Sequence, residues 1–155
     1  MPYTAQYFDD GKGVHKRGYG IVTGLEIFIS AMEESRDQER ARKLRYGLVD
    51  FSEVTDMKVT PDDIRRIVEA NRKTAVLTPG AIVAIIAPSE LPYALSRLWH
   101  TLSDDLGWQA NVFHTRADAI AWLRKQLLAQ GDSDPELTQF PSLRLEPRPP
   151  VGGFN

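Results

Sequence analysis

The side chains that could do chemistry in this sequence stand mostly where a strand gives way to a helix. Ser89, His114 and Asp50 are the serine, histidine and carboxylate that nucleophilic acyl transfer would need. Their surroundings argue against that use. Ser89 lies between Pro88 and Glu90, where a helix requires a cap, and no Gly-x-Ser-x-Gly elbow encloses it. The three histidines, His15, His100 and His114, are scattered, and there is no cysteine. Metal ligation, thiol catalysis and disulfides are therefore not expected. Gly11-Lys12-Gly13 and Gly18-Tyr19-Gly20 precede strands or lie within them, so they lack the helix N-terminus that cradles a phosphate. No cofactor and no catalytic residue is expected. What remains is a set of polar groups at the carboxyl ends of strands, where open parallel sheets bind ligands. These are Asp50, Ser52 and Asp56, then Ser89, then His114 and Thr115.

The elements that must hold these groups are legible from periodicity. Residues 81–87 (Ala-Ile-Val-Ala-Ile-Ile-Ala) form an uncharged apolar run between Thr78-Pro79-Gly80 and Pro88. So short a run, rich in β-branched residues, predicts a strand buried on both faces, with helices above and below it. Residues 3–8 and 14–22 read as an antiparallel hairpin around Asp9-Asp10-Gly11-Lys12-Gly13, with Gly18 and Gly20 marking either a bulge or a close backbone approach. Thr23-Gly24-Leu25-Glu26 is a capping box, and Val22 and Ile27 can staple it. Leu25, Phe28, Ile29 and Met32 supply that helix with an apolar stripe. The charged run at 33–45 reads as a solvated helix end and loop.

A strand at 46–51 and a helix capped by Thr60, with Pro61 at its first position, come next. After the central strand, a leucine-rich helix (Leu91, Leu95, Leu98, Trp99, Leu102, Leu106) runs to Gly107. A strand at 109–114 and a helix capped by Thr115 complete the order β-β-α-β-α-β-α-β-α. The prediction is an α/β fold with a mixed, mostly parallel five-stranded sheet and four helices, one domain over residues 1–130. Residues 131–155 hold five prolines (Pro135, Pro141, Pro147, Pro149, Pro150) and read as an extended tail.

Composition sets the outer bounds. The chain has 155 residues, 42% apolar and 26% charged, an ordinary globular profile. Nineteen basic against 21 acidic residues leave a net charge of -2, which offers no field for nucleic acid. Neither a secretion signal nor an integral membrane segment is visible, so a cytoplasmic protein is expected.

Several strings carry a family resemblance. They are Leu48-Val49-Asp50-Phe51-Ser52-Glu53-Val54, Ala84-Ile85-Ile86-Ala87-Pro88-Ser89, and Ala110-Asn111-Val112-Phe113-His114 with Ala117-Asp118-Ala119-Ile120-Ala121-Trp122-Leu123. Together with the element order they resemble the SpoIIAA-like branch of the STAS/Sec14-like superfamily, over roughly residues 3–128. That resemblance implies a non-enzymatic regulatory domain, acting through a protein partner as anti-sigma-factor antagonists do. Sec14-like relatives imply the alternative, a carrier or sensor of a small apolar ligand; Tyr93, Trp99, Trp108 and Trp122 would line its pocket or simply fill the core. STAS members are switched by phosphorylation of a serine entering the second helix. Here the corresponding stretch is Thr55-Asp56-Met57-Lys58-Val59-Thr60, so Thr60 is the candidate phosphoacceptor, with Asp62 and Asp63 beside it. The expected recognition loop is residues 52–60, with Val54 and Met57 as apolar anchors beside Asp56 and Lys58. A homodimer is a further expectation.

Overall fold

The computed structural model describes residues 2–132, so the expected tail lies outside the described residues from 133 onward. Five strands form one sheet in the order β1-β2-β3-β4-β5. Strand β1 (Tyr3–Phe8) runs antiparallel to β2 (Gly13–Thr23). Strands β2, β3 (Tyr46–Lys58), β4 (Ile82–Ile86) and β5 (Gln109–Phe113) are mutually parallel. The apolar run at 81–87 becomes β4, paired on both edges and buried on both faces.

Alternation along the strands divides the core into two layers. On one face, Val49, Phe51, Val83, Ile85 and Val112 pack beneath α1 (Gly24–Arg36), α3 (Pro61–Leu77) and α4 (Glu90–Leu102). On the other face, Tyr46, Leu48, Ile82, Ala84 and Ile86 pack against Ala119, Ile120, Leu123 and Leu127 of α5 (Arg116–Ala129). The capping box predicted at Thr23 forms, and the predicted cap at Thr60 forms one as well. Thr23 accepts from the Glu26 amide and Thr60 from the Asp63 amide, while each acidic side chain bonds back to its cap. Gly24 is required by packing, because a Cβ there would collide with Asp63 at the start of α3.

Four expectations need correction. First, the described residues form five α-helices rather than four, because residues 38–43 form a short α2 (Gln38–Lys43). Asp37 restarts the helix by accepting from the Arg40 amide, and buried Ala41 anchors it. Nor is the charged run wholly solvated: Glu34 is buried against Lys16 at 2.8 Å.

Second, β3 does not stop near residue 51 but continues to Lys58. Its partner β2 also continues, and Tyr19–Thr23 pairs with residues 53–58 across two register shifts at Gly18 and Gly20. Gly20, beside the second shift, takes a left-handed φ of 64°, while the extra residue there is Thr55 of β3. Residues 52–58 are therefore strand, and only Val59 and Thr60 separate it from α3.

Third, the buried face of α1 is only partly the predicted stripe. Phe28 packs on the core beside Ile27, and Gly24, Ala31 and Glu34 are buried, while Leu25 and Ile29 face solvent at 66% and 44% exposure. Where α1 approaches α3 most closely, the contact takes a small residue, Gly24. Fourth, α4 ends at Leu102 and a 3-10 turn carries the chain to Gly107, with Leu91 exposed.

Candidate functional site

Between the sheet and the α1–α3–α4 layer lies a cavity of about 120 Å³. Its floor is the inner face of the sheet, including Val14 and Lys16 of β2, Val49, Phe51 and Met57 of β3, and Ile85 of β4. Its roof is Ala31 and Glu34 of α1, Ile64, Ile67, Asn71 and Thr74 of α3, and Leu95 and Trp99 of α4. Tyr3 and Trp108 close the flanks. Large apolar residues are placed here by strand alternation and by helical spacing on α3 and α4. Small residues, Ala31 and Ser96, also stand on the lining, and Gly47 beside them lets Val14 approach closely.

Polar groups around this cavity are few and mostly paired. Lys16 and Glu34 form an ion pair at 2.8 Å with both side chains under 10% exposed. A pair so buried is held by its own geometry, since either charge alone would be costly there. Trp99 Nε1 donates to Asn71 Oδ1 at 2.9 Å, and Trp108 Nε1 donates to Thr78 Oγ1 at 3.0 Å. Thr78 in turn donates to the Thr74 carbonyl at 2.9 Å. Thr74 Oγ1 is buried with no hydrogen-bond partner among the described residues. The Tyr3 hydroxyl is held far above the usual phenol range, first by burial and then by the nearby Glu34 carboxylate.

The strand-end polar residues form a different arrangement on the α5 side. Asp50 is 2% exposed. Its Oδ1 accepts from the Ser52 amide at 2.9 Å and from the Ser52 hydroxyl at 2.5 Å, and its Oδ2 accepts from Arg116 at 2.5 Å. Burial pushes the Asp50 carboxyl up, but the Ser52 bonds and the Arg116 guanidinium outweigh it and hold the group below its usual range. His114 is exposed and stacks on Tyr93 of α4, with ring centroids 3.9 Å apart. Thr115 caps α5 by accepting from the Asp118 amide, whereas Ser89 takes the N-cap position of α4 without a side-chain bond. The serine, the histidine and the aspartate are thus engaged in three separate local structures.

Of the expected recognition loop, Ser52, Thr55, Asp56 and Lys58 are exposed on β3, and Val54 is partly buried against the core. Met57 is not an exposed anchor: it is 5% exposed and lines the cavity. The strand continuing past the end of β4 turns it inward opposite Val22. Thr60 is exposed and serves as the cap of α3. Trp99 and Trp108 line the cavity, Tyr93 packs at its margin, and Trp122 belongs to the opposite core beside Phe113. Lys16, Glu34, Thr74 and Arg116 are the residues that motif reading passes over. The alternation Val14, Lys16 on a strand whose inner face is apolar carries the signal for the first of them.

No group of three metal-ligating side chains occurs among the described residues, and no described helix is long and apolar enough to cross a membrane. No family profile matches the chain, and no curated protein matches it. Two of the solved structures similar to it are as follows. One is an uncharacterized protein of the DUF3478 family with a SpoIIAA-like fold from Shewanella loihica PV-4, 16% identical. The likeness covers 78% of this chain and 91% of that one at a TM-score of 0.49. The other is the anti-sigma factor antagonist SpoIIAA in its unphosphorylated form, 13% identical, over 79% of this chain and 97% of that one at a TM-score of 0.49. The strand order and the connectivity are those of the mixed, mostly parallel five-stranded α/β sheet that the sequence predicts, with the short α2 as an addition to the expected element order.

Proposed function

We propose that this chain is a non-enzymatic binding domain that holds a small, largely apolar molecule between its sheet and its α1–α3–α4 layer. The observation that carries this reading is the interlayer cavity of about 120 Å³. Protein interiors are packed like organic crystals, and voids much larger than a water molecule are few. A guest that fills such a space supplies the contacts its lining atoms otherwise lack. The named walls are apolar and aromatic, the composition of a ligand pocket with a few placed polar groups.

A second reading, a regulatory domain working through a protein partner as anti-sigma-factor antagonists do, is favoured by a separate feature. Strand β3 pairs with β4 only over Tyr46–Asp50, yet it continues to Lys58. No described strand pairs with the far edge of residues 52–58, which bear exposed Ser52, Thr55, Asp56 and Lys58. An open edge of this kind accepts an added strand from a partner.

Native mass spectrometry of freshly purified protein, beside melting curves with and without benzene, separates the two. The ligand reading expects a small non-covalent adduct released on unfolding, and a melting temperature that rises with benzene concentration. The bare chain mass together with a melting temperature indifferent to benzene contradicts it and leaves the partner reading.

A further inference from the structure

We infer that the guest of the interlayer cavity is a neutral molecule of single-ring size bearing one hydroxyl, of the phenol type, hydrogen-bonded to Thr74. This inference rests on the cavity reading above and adds the chemistry of the ligand.

Size comes first. An apolar cavity of about 150 Å³ is enough to take up benzene, and the cavity here measures about 120 Å³. At about four-fifths of that volume, a single small ring is the upper limit of a guest, and a long acyl chain is excluded. Trp99 and Trp108 lie with ring centroids 6.4 Å apart and planes at 35°, and Phe51 and Tyr3 line the same space. These rings offer faces and edges to an aromatic guest.

Charge comes second. The only charged side chains on the lining are Lys16 and Glu34, and they are paired with each other at 2.8 Å. A carboxylate or an ammonium entering the cavity would have to break that pair in a desolvated setting, so the favoured guest is neutral.

The hydroxyl is the third element. Asn71, Thr74 and Thr78 share one face of the α3 helix and its C-terminal end. Asn71 is occupied by Trp99, and Thr78 both accepts from Trp108 and donates to the Thr74 carbonyl. Thr74, 1% exposed and on the cavity lining, keeps a buried hydroxyl with no partner among the described residues. Threonines inside helices commonly turn this group back onto a carbonyl one turn earlier. Thr78 does so onto Thr74, and Thr74 itself does not. Buried hydroxyls are nearly always satisfied, and a hydroxyl on the guest both donates to and accepts from it.

Calorimetric titration of the full chain with phenol and with toluene, which differ by hydroxyl against methyl, tests this. In the wild type both bind. In Thr74→Val the ratio of phenol to toluene affinity falls at least tenfold, while toluene binding is kept; Thr74→Ser retains the wild-type ratio. Independently of any variant, a crystal of the wild-type chain soaked in phenol shows the phenol oxygen about 3 Å from Thr74 Oγ1. An unchanged ratio in Thr74→Val, or a phenol oxygen directed at Lys16 or Glu34, overturns the assignment of the hydroxyl and leaves the cavity reading standing. Failure of both probes to bind the wild type overturns both.

Discussion

Ala31→Leu tests whether the space between the layers is real. Ala31 lies on α1, is 2% exposed, and lines the cavity. Leucine matches alanine closely in helix propensity, so the backbone is little affected. The added carbons enter either free volume or packed atoms, and the sign of the stability change distinguishes the two. In free volume, three carbons at about 0.8 kcal/mol each contribute at most ~2.4 kcal/mol. Ordering the leucine side chain takes back about 0.5–1 kcal/mol. The expected net gain is about 1.5 kcal/mol, which urea denaturation reads as a midpoint raised by roughly 0.5–1 M at unchanged slope. The same variant should lose its response to benzene, because the guest and the new side chain compete for one volume. A loss of about 1–3 kcal/mol, the ordinary cost of overpacking, would refute the reasoning.

Three other perturbations probe the surrounding structure. Lys16→Met leaves Glu34 buried without its partner and should cost about 3–5 kcal/mol, whereas the double variant Lys16→Met with Glu34→Leu should recover most of it in a denaturation series. Asp50→Asn removes a carboxylate that is tied to Ser52 and Arg116, at a cost of about 2 kcal/mol near neutral pH. Because the native Asp50 carboxyl titrates below the ordinary 3.8, its contribution is full above that value. It is lost as pH falls through the lower native one. Stability against pH should therefore fall less steeply on the acid side in Asp50→Asn than in the wild type, and parallel curves would contradict this. Met57→Glu places a charge on an inward position that is 5% exposed and should cost more than about 2 kcal/mol. A melting temperature equal to the wild type would mean that residues 52–58 form the exposed loop after all.

Local chemistry made much of this fold legible in the sequence. The caps at Thr23, Thr60 and Thr115 are written in side chains that bond within four residues, so no tertiary knowledge is needed to find them. The buried run at 81–87 announces β4 because no polar residue interrupts it. What escaped depends on distant partners. The continuation of β3 to Lys58 follows its pairing with β2, across two register shifts at which β3 carries the extra residue, and Met57 comes opposite Val22. Periodicity alone does not see the contact between α1 and α3 at Gly24, or that Leu25 and Ile29 face solvent. The candidate site was the least legible part. Its lining and its polar features join residues from different elements, which no local pattern records. Aromatics at Trp99 and Trp108 pointed towards it, but the same spacing describes ordinary core.

Xenon bound under pressure to crystals of the wild-type chain tests the central claim most directly, because xenon occupies dry apolar space without needing a polar contact. The prediction is a single well-occupied xenon site between the sheet and the α1–α3–α4 layer, flanked by Phe51, Leu95 and Trp99, that disappears in Ala31→Leu. Crystals in which that volume holds ordered water, or holds no xenon while xenon binds elsewhere on the molecule, would contradict it.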